Sequence, residues 1–137
     1  MPDAYTSTPL ARKLGLKPGF IAYLHQAPAH YRDLFLDWPA DVELRAKGGV
    51  GEIDFIHFFV RTIADLQSMA PTFMSWIKKD GLLWVSWPKG KSSLSTDLKR
   101  DMIREYLLEL GFVDVKVASI DKDWSGLKFV YRLEDRK

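Results

Sequence analysis

The chain has 137 residues, enough for one domain spanning residues 1–137, of which we expect residues 1–7 to form a flexible tail. Hydrophobic residues make up 47% and charged residues 28%, which excludes the disordered and low-complexity classes. The net charge of +2 is too small to indicate nucleic-acid binding.

The chain contains no cysteine, so disulfides, thiolate nucleophiles and cysteine-based zinc sites are excluded. The N-terminal residues show no apolar signal core, and no run approaches roughly 18 apolar residues, the length of a membrane span. We therefore expect a cytoplasmic protein with no membrane partner.

The first part of the chain predicts a short helix and two strands. Thr8 and Pro9 are typical of a helix start, and Gly15 of its end. The apolar run at residues 20–25 predicts a strand covered on both faces. After a further short helix, residues 42–45 alternate and predict a weaker, more exposed strand.

The middle of the chain predicts a central strand followed by a helix. Residues 53–60 are almost wholly apolar. Thr62 and Asp65 fit a capping box, which predicts that Thr62 caps the next helix. Pro71 falls inside the helical pattern and predicts a kink or restart, and residues 80–81 predict the end of the helix.

The last part predicts a third buried strand, a helix and a hairpin. Residues 82–87 form the strand, and the apolar repeat over residues 98–110 forms the helix, which Gly111 ends. Residues 113–120 and 127–133 alternate and predict an antiparallel β-hairpin. Strands that alternate with helices predict a three-layer α/β domain with a mostly parallel sheet.

Several segments carry a resemblance to a known fold family: residues 16–19, 53–56, 77–83 and 111–113. They resemble the entry turn, the fourth strand, the approach to the fifth strand and the closing strands of class I S-adenosylmethionine-dependent methyltransferases. The chain from residue 14 onward looks like a shortened Rossmann-like, methyltransferase-like sheet. Further segments are similar to a family of small, uncharacterised bacterial proteins of this fold without an assigned activity: residues 87–89, 96–98, 100–101 and 124–128.

Two departures from that resemblance concern the cofactor. Members that bind S-adenosylmethionine place an acidic residue and glycines just after the first strand, whereas residues 25–29 here contain neither. Members also place an acidic residue at the end of the second strand for the ribose hydroxyls, whereas Ala46 and Lys47 stand here. We expect side chains to fill the nucleoside space, and we predict no cofactor, with S-adenosylmethionine as the alternative.

The resemblance implies a strand order that brings four segments to the carboxyl ends of the strands, the edge where open α/β sheets bind ligands. These segments are residues 25–26, 60–62, 88–96 and the hairpin tip at 123–125. The ligand-binding candidates among them are His25, Gln26, Lys89, Lys91, Ser92, Ser93, Thr96, Trp124 and Ser125.

Each group of candidates has a structural alternative. The basic, hydroxyl-rich loop could hold a phosphate or carboxylate, or it could be solvated with Ser95 or Thr96 capping the next helix. Trp124 could stack on a planar ligand, anchor a partner, or cover the core. His25 is the one candidate general base, and hydrogen bonding to a neighbouring loop is its alternative role.

The remaining histidines do not indicate a metal site. His57 lies mid-strand among aromatic residues and is expected to be a satisfied interior residue, and His30 is expected on a helix surface. No spacing typical of metal ligands occurs, and no Gly-x-Ser-x-Gly elbow indicates a serine hydrolase. Acidic residues interleave with the basic ones over residues 97–105, so nucleic acid is not an expected partner.

The leading functional hypothesis is a non-catalytic domain that binds a small anionic ligand or a protein partner at the carboxyl-terminal edge of the sheet. The first alternative is a diverged S-adenosylmethionine-dependent methyltransferase. The second is a dimeric protein-interaction module, since a weak strand at the sheet edge would be covered by a second copy.

Overall fold

The computed structural model describes residues 8–136, and the predicted tail at residues 1–7 lies outside the described residues. The strands are β1 Ile21–His25, β2 Glu43–Arg45, β3 Ile53–Phe59, β4 Ile77–Pro88, β5 Phe112–Ser119 and β6 Trp124–Tyr131. The α-helices are α1 Leu10–Leu14, α2 Ile63–Trp76 and α3 Arg100–Leu110, and short 3₁₀ helices occupy Tyr31–Leu34 and Leu133–Asp135.

The strands form one six-stranded sheet in the order β2-β1-β3-β4-β6-β5. Strands β2, β1, β3 and β4 are parallel, and β6 runs antiparallel to both β4 and β5. The predicted mixed sheet with a closing hairpin is therefore confirmed, as is the insertion of β6 beside β4. The strand order reverses between β1 and β3, which creates a crevice at the carboxyl ends of these two strands.

Two apolar clusters make this a three-layer domain. On one face α2 and α3 pack on the sheet around Ile56, Phe58 and Phe73. On the other face α1 and the first 3₁₀ helix pack around residues such as Leu14 and Trp84. Both clusters bury large side chains completely, so the sheet is held from both sides. None of the helices in residues 8–136 is long and apolar enough to cross a membrane.

Local signals at the helix ends behave as predicted. The hydroxyl of Thr62 accepts the backbone N–H of Asp65 at 3.1 Å and so caps α2. Gly111 ends α3 with a left-handed φ of 110°, a conformation that costs glycine little. Of the kink or restart predicted at Pro71, the restart does not occur, because α2 continues through this residue as one helix.

The boundary between α2 and β4 differs from the prediction. The helix ends at Trp76 rather than at residues 80–81, and β4 begins at once with Ile77. Ile77 already pairs with Ile53, and a register shift follows before Phe55 pairs with Leu82. Because of this irregularity, residues 78–81 lie within β4, although their sequence is typical of a loop.

The hairpin tip also differs from the prediction, which placed Trp124 in the turn. The Asp121 carboxylate accepts the backbone N–H groups of Asp123 and Trp124 at 2.8 and 2.9 Å. These bonds close the turn early, so Trp124 begins β6, pairs with Pro88 and is only 7% exposed. Its ring packs edge-on against Phe59 with centroids 5.0 Å apart, so Trp124 covers the core.

Candidate functional site

A cavity of about 600 Å³ opens at the carboxyl ends of β1 and β3, where the strand order reverses. We call this edge of the sheet the rim and the opening the rim cavity. Its apolar floor is formed by the end of β3, and its walls come from the turn after β1, the start of α2, the loop after β4 and the hairpin tip. Its lining includes His25, Gln26, Phe58, Arg61, Asp65, Ser68, Met69, Leu94 and Trp124.

His25 ends β1 and forms part of the cavity wall. Its Nδ1 lies 2.9 Å from the Tyr23 hydroxyl, and no second hydrogen bond to the ring occurs within residues 8–136. The ring packs against Phe58 and Phe73 with centroids 5.4 and 5.0 Å away. Burial lowers the pKa of His25 below its ordinary value, and the nearby charge of Asp65 opposes this in part. A neutral imidazole is therefore available to a ligand at neutral pH.

Gln26 follows His25 with a φ of 56°, the left-handed backbone that glycine adopts most easily. Its side chain is exposed at the wall of the cavity. Residues 25–29 are expected from the sequence to fill the nucleoside space, and in the structure His25, Gln26 and Pro28 border an open cavity. The turn keeps a glycine-type conformation without a glycine.

Arg61 and Asp65 bring opposite charges to the lining of the cavity. Arg61 follows β3, and its guanidinium is oriented by Ser95: Nε donates to the backbone oxygen and Nη2 to the hydroxyl, both at 3.0 Å. Asp65 lies in the first turn of α2 and is exposed. Arg61 belongs to a predicted rim segment, whereas nothing in the local pattern beyond helix capping indicated Asp65.

The polar side chains of the loop after β4 mostly bond within the chain. Lys89 Nζ donates to the Ser119 hydroxyl at 2.6 Å, and the Ser92 hydroxyl donates to Asp123 at 2.9 Å. The Thr96 hydroxyl donates to the backbone oxygen of Arg61 at 2.7 Å. These side chains fasten the loop to β3 and to the hairpin, which gives them a structural role.

The predicted helix cap in this loop is wrong. Helix α3 begins at Arg100 after Lys99, which makes no side-chain cap, so neither Ser95 nor Thr96 caps it. Thr96 instead accepts the backbone N–H of Leu98 at 3.0 Å, a local turn before the helix.

The structure divides the predicted site residues among different places. His25, Gln26 and Trp124 line the rim cavity. Lys89 and Thr96 instead line a neighbouring groove of about 510 Å³ beside the start of α3. The other predicted residues have hydroxyl or ammonium groups elsewhere on the loop or in the hairpin: Lys91, Ser92, Ser93 and Ser125. Sequence reasoning missed Asp65, Met69 and Leu94.

His57 lies in the middle of β3 and is fully buried, as predicted. Its Nδ1 lies 2.9 Å from the Tyr31 hydroxyl and its Nε2 lies 2.7 Å from the Ser86 hydroxyl. Burial lowers the pKa of His57 to about 3, so the ring is neutral and both nitrogens are satisfied. This buried triad joins the 3₁₀ helix to β3 and β4.

His30 is half exposed, and its Nε2 lies 2.9 Å from an Asp121 oxygen. Hydrogen bonds from His30 and from two backbone N–H groups lower the pKa of Asp121, outweighing the opposing effect of its burial. No group of three or more metal-ligating side chains occurs within residues 8–136.

Neither a protein-family profile nor a curated protein matches the chain. Solved structures match it in fold. A candidate type 11 methyltransferase from Sulfolobus solfataricus aligns with a TM-score of 0.64 at 14% identity, over 96% of this chain and 92% of that one. The DhpI–S-adenosylhomocysteine complex aligns with a TM-score of 0.62 at 11% identity, over 96% and 86%.

A third match is the 1,6-didemethyltoxoflavin-N1-methyltransferase of Burkholderia thailandensis, solved with 1,6-didemethyltoxoflavin and S-adenosylhomocysteine. It aligns with a TM-score of 0.58 at 11% identity, over 88% of this chain and 73% of that one. The chain therefore has a methyltransferase-like α/β fold, which confirms the predicted resemblance at the level of the fold.

Proposed function

We propose that this chain is a diverged S-adenosylmethionine-dependent methyltransferase domain that binds its cofactor in the rim cavity. The observation that carries the proposal is a cavity of about 600 Å³ at the point where the strand order reverses. Open α/β sheets bind ligands at this point, and small-molecule sites typically measure roughly 300–1,000 Å³. Two of the matching structures were solved with S-adenosylhomocysteine, the demethylated cofactor.

The residues present fit the cofactor in three respects. The cavity has a suitable volume, the turn at Gln26 keeps a glycine-type backbone, and the wall carries both charged and apolar groups. When bound, S-adenosylmethionine would supply an electrophilic methyl group. His25 could take up a proton there at its second nitrogen, and the apolar floor under it would exclude water.

One expected contact is missing, and this makes the proposed domain a diverged one. The carboxylate that the resemblance places at the end of the second strand is absent, since Ala46 and Lys47 follow β2. Arg45, which ends β2, is bonded to Glu43 and Glu52 at 2.7 and 3.0 Å, so these carboxylates serve an ion pair. The ribose hydroxyls would therefore need other partners.

Isothermal titration with S-adenosylmethionine and S-adenosylhomocysteine tests the proposal. Ser68 is exposed on α2 and lines the cavity, so Ser68→Trp would block it from the surface. Ala64 is exposed on the same helix outside the cavity lining, which makes Ala64→Trp the matched control. We expect binding to be lost only in Ser68→Trp. No binding by the wild-type protein at about 1 mM ligand, or equal binding by both variants, would overturn the proposal.

A second candidate is a non-catalytic domain that binds a small anion in the groove beside α3. The favouring observation is the cluster of Lys89, Lys99 and Arg100 along this groove. We expect Lys89→Ala combined with Lys99→Ala to weaken binding of phosphate-bearing ligands, measured by titration across a salt series. Unchanged affinity would leave the loop with its structural role alone.

A third candidate is a dimeric interaction module. Val115 and Val117 are exposed on β5, which is an edge strand of the sheet. Such an edge is a natural place for strand pairing between copies. Light scattering that finds only monomer at micromolar concentration would remove this candidate.

A further inference from the structure

Three lysines come together on the face of the sheet that α1 covers. Lys116 and Lys128 are paired directly opposite each other on β5 and β6, so their side chains lie on the same face. Lys128 also pairs with Trp84 of β4, a residue of the apolar cluster under α1. Lys17 follows α1 in the turn before β1, and its charge acts on Lys128. We call Lys17, Lys116 and Lys128 the lysine cluster.

The lysine cluster lies at the carboxyl end of α1. Gly15 ends this helix, and a Cβ atom at Gly15 would lie 3.5 Å from Nζ of Lys128. Nζ of Lys116 donates to the backbone oxygen of Lys13 at 2.9 Å. No member of the cluster lines the rim cavity or the groove beside α3, so this is a separate surface.

The positive charges of the lysine cluster are not compensated within residues 8–136. None of the three lysines forms an ion pair with a carboxylate there. Lys128 is half-buried, and burial lowers the pKa of Lys128, which the charges of Lys116 and Lys17 lower further. Like charges directly opposite each other on antiparallel strands destabilise a sheet. An anion beside these ammonium groups would remove that cost.

Capping of α1 explains only one member of the cluster. Lysines near the end of a helix can serve its last carbonyl oxygens, which for α1 belong to residues 11–14. Backbone N–H groups already serve the first two, Lys116 serves the third at 2.9 Å, and the ring of Trp84 serves the fourth at 2.7 Å. The ammonium groups of Lys128 and Lys17 are therefore not needed to cap the helix.

We propose that the lysine cluster binds the phosphate groups of a small polyphosphate ligand. Three ammonium groups match a multiply charged anion better than a single carboxylate, and lysine binds phosphate as a point charge without a fixed planar geometry. Gly15 and Lys17 line a surface cavity of about 320 Å³, which leaves room for the ligand beside the cluster. A nucleic-acid chain is less well matched, because it is bound along a basic stripe rather than at one compact cluster.

Titration with inorganic pyrophosphate at constant ionic strength, followed by NMR of the backbone amides, tests the site. In the wild-type protein we expect amide shifts around residues 13–17, 116 and 128. Lys128→Met removes the charge but keeps an unbranched apolar side chain of similar length, so the packing beside α1 is retained. This variant is expected to bind pyrophosphate at least about tenfold more weakly.

Lys122→Met is the matched control, because it removes an exposed lysine from the tip of the same hairpin, before β6 begins. Its affinity for pyrophosphate is expected to equal that of the wild-type protein. Equal weakening in Lys122→Met and Lys128→Met would show attraction to net positive charge alone and would overturn the site.

Thermal unfolding gives a second measurement and shows whether each variant is folded. At low salt and without phosphate, we expect Lys128→Met to melt about 2–4 °C above the wild-type protein, because the substitution relieves the repulsion from Lys116. Pyrophosphate is expected to raise the melting midpoint of the wild-type protein and not that of Lys128→Met.

Three results would contradict the proposal. Amide shifts that are absent from the wild-type protein, or that persist in Lys128→Met, would show that the cluster does not bind phosphate. A lower melting midpoint for phosphate-free Lys128→Met would show that this charge stabilises the chain itself. Tighter binding of a six-residue single-stranded RNA than of pyrophosphate, dependent on Lys128, would replace the small ligand with a nucleic-acid chain. Titration with S-adenosylhomocysteine is expected to be unaffected by Lys128→Met, so the proposed function is tested separately.

Discussion

Two sets of polar side chains lie at or under the same rim and differ in the partners of their hydrogen bonds. The bonded set consists of side chains that bond to other groups of the chain: Ser92, Thr96 and Asp97 in the loop after β4, and His57 in β3. The open set, Asp65 and Ser68 on α2, faces the rim cavity. The basic, hydroxyl-rich composition of the loop predicts an anion site there, but of the two sets, the one whose side chains lack hydrogen-bond partners within residues 8–136 is the one on α2.

The largest loss of stability is expected on substitution of His57, the most deeply buried member of the bonded set. His57→Leu leaves the hydroxyls of Tyr31 and Ser86 buried without the ring nitrogens that they contact. We expect the free energy of unfolding to fall by roughly 3–5 kcal/mol, because each orphaned buried group costs about 1–3 kcal/mol. Urea denaturation measures the free energy of unfolding. A loss below about 1 kcal/mol would show that the triad contributes little to stability.

The same histidine makes stability depend on pH. Burial lowers the pKa of His57 to about 3, so the unfolded chain, with a histidine pKa near 6.5, binds the extra proton first as pH falls. Its contribution is full above pH 6.5 and is lost towards pH 3, with about 3 kcal/mol lost by pH 4.5.

Unfolding curves at several pH values should therefore show a decline that is shallower in His57→Leu by this amount. Identical pH slopes for the two proteins would mean that His57 is not the titrating group. Asp121, whose pKa is lowered in the folded protein, adds to the decline at lower pH in both proteins, because its contribution is lost as pH falls through its folded pKa.

The next largest loss of stability is expected at the contact between the loop after β4 and α2. The Asp97 carboxylate accepts the backbone N–H of Ile63 at 2.8 Å, so a residue distant in sequence satisfies the first turn of α2. We expect Asp97→Ala to cost about 1 kcal/mol, the usual loss for a helix cap. Asp101→Ala, on the exposed face of α3, serves as the comparison in the same denaturation series, and equal losses would contradict the capping role.

The smallest changes in stability are expected for substitutions of one serine from each set. Ser92→Ala removes bonds to Asp123 and to the backbone N–H of Leu94, and it is expected to cost about 0.5–1 kcal/mol. Ser68→Ala is expected to be neutral or to stabilise by a few tenths of a kcal/mol, roughly the helix-propensity gain of alanine. Midpoints of thermal unfolding order the two variants, and a larger loss for Ser68→Ala would reverse the assignment of the sets.

Local signals allowed much of the fold to be predicted from sequence. The cap at Thr62, the helix end at Gly111 and the buried strands all depend on neighbouring residues, and the structure confirms them. The start of β4 was missed because it depends on pairing between Ile53 and Ile77, which lie far apart in sequence. The position of Trp124 was missed because one carboxylate, that of Asp121, shortens the turn.

The site was harder to predict because residue type does not reveal bonding partners. His25 and Gln26 could be placed at the rim from their position after β1. Lys89, Ser92 and Thr96 have the chemistry of an anion site, yet long-range contacts with Ser119, Asp123 and Arg61 occupy them. Asp65 was not singled out because its sequence position is equally typical of a favourable charge in a first helical turn.

The backbone conformation of Gln26 determines which substitution this position would accept most easily. A left-handed φ of 56° costs roughly 1–2 kcal/mol for a residue with a side chain, and glycine would adopt it freely. Gln26→Gly would therefore remove local strain and expose the main chain at the mouth of the cavity without shifting any strand.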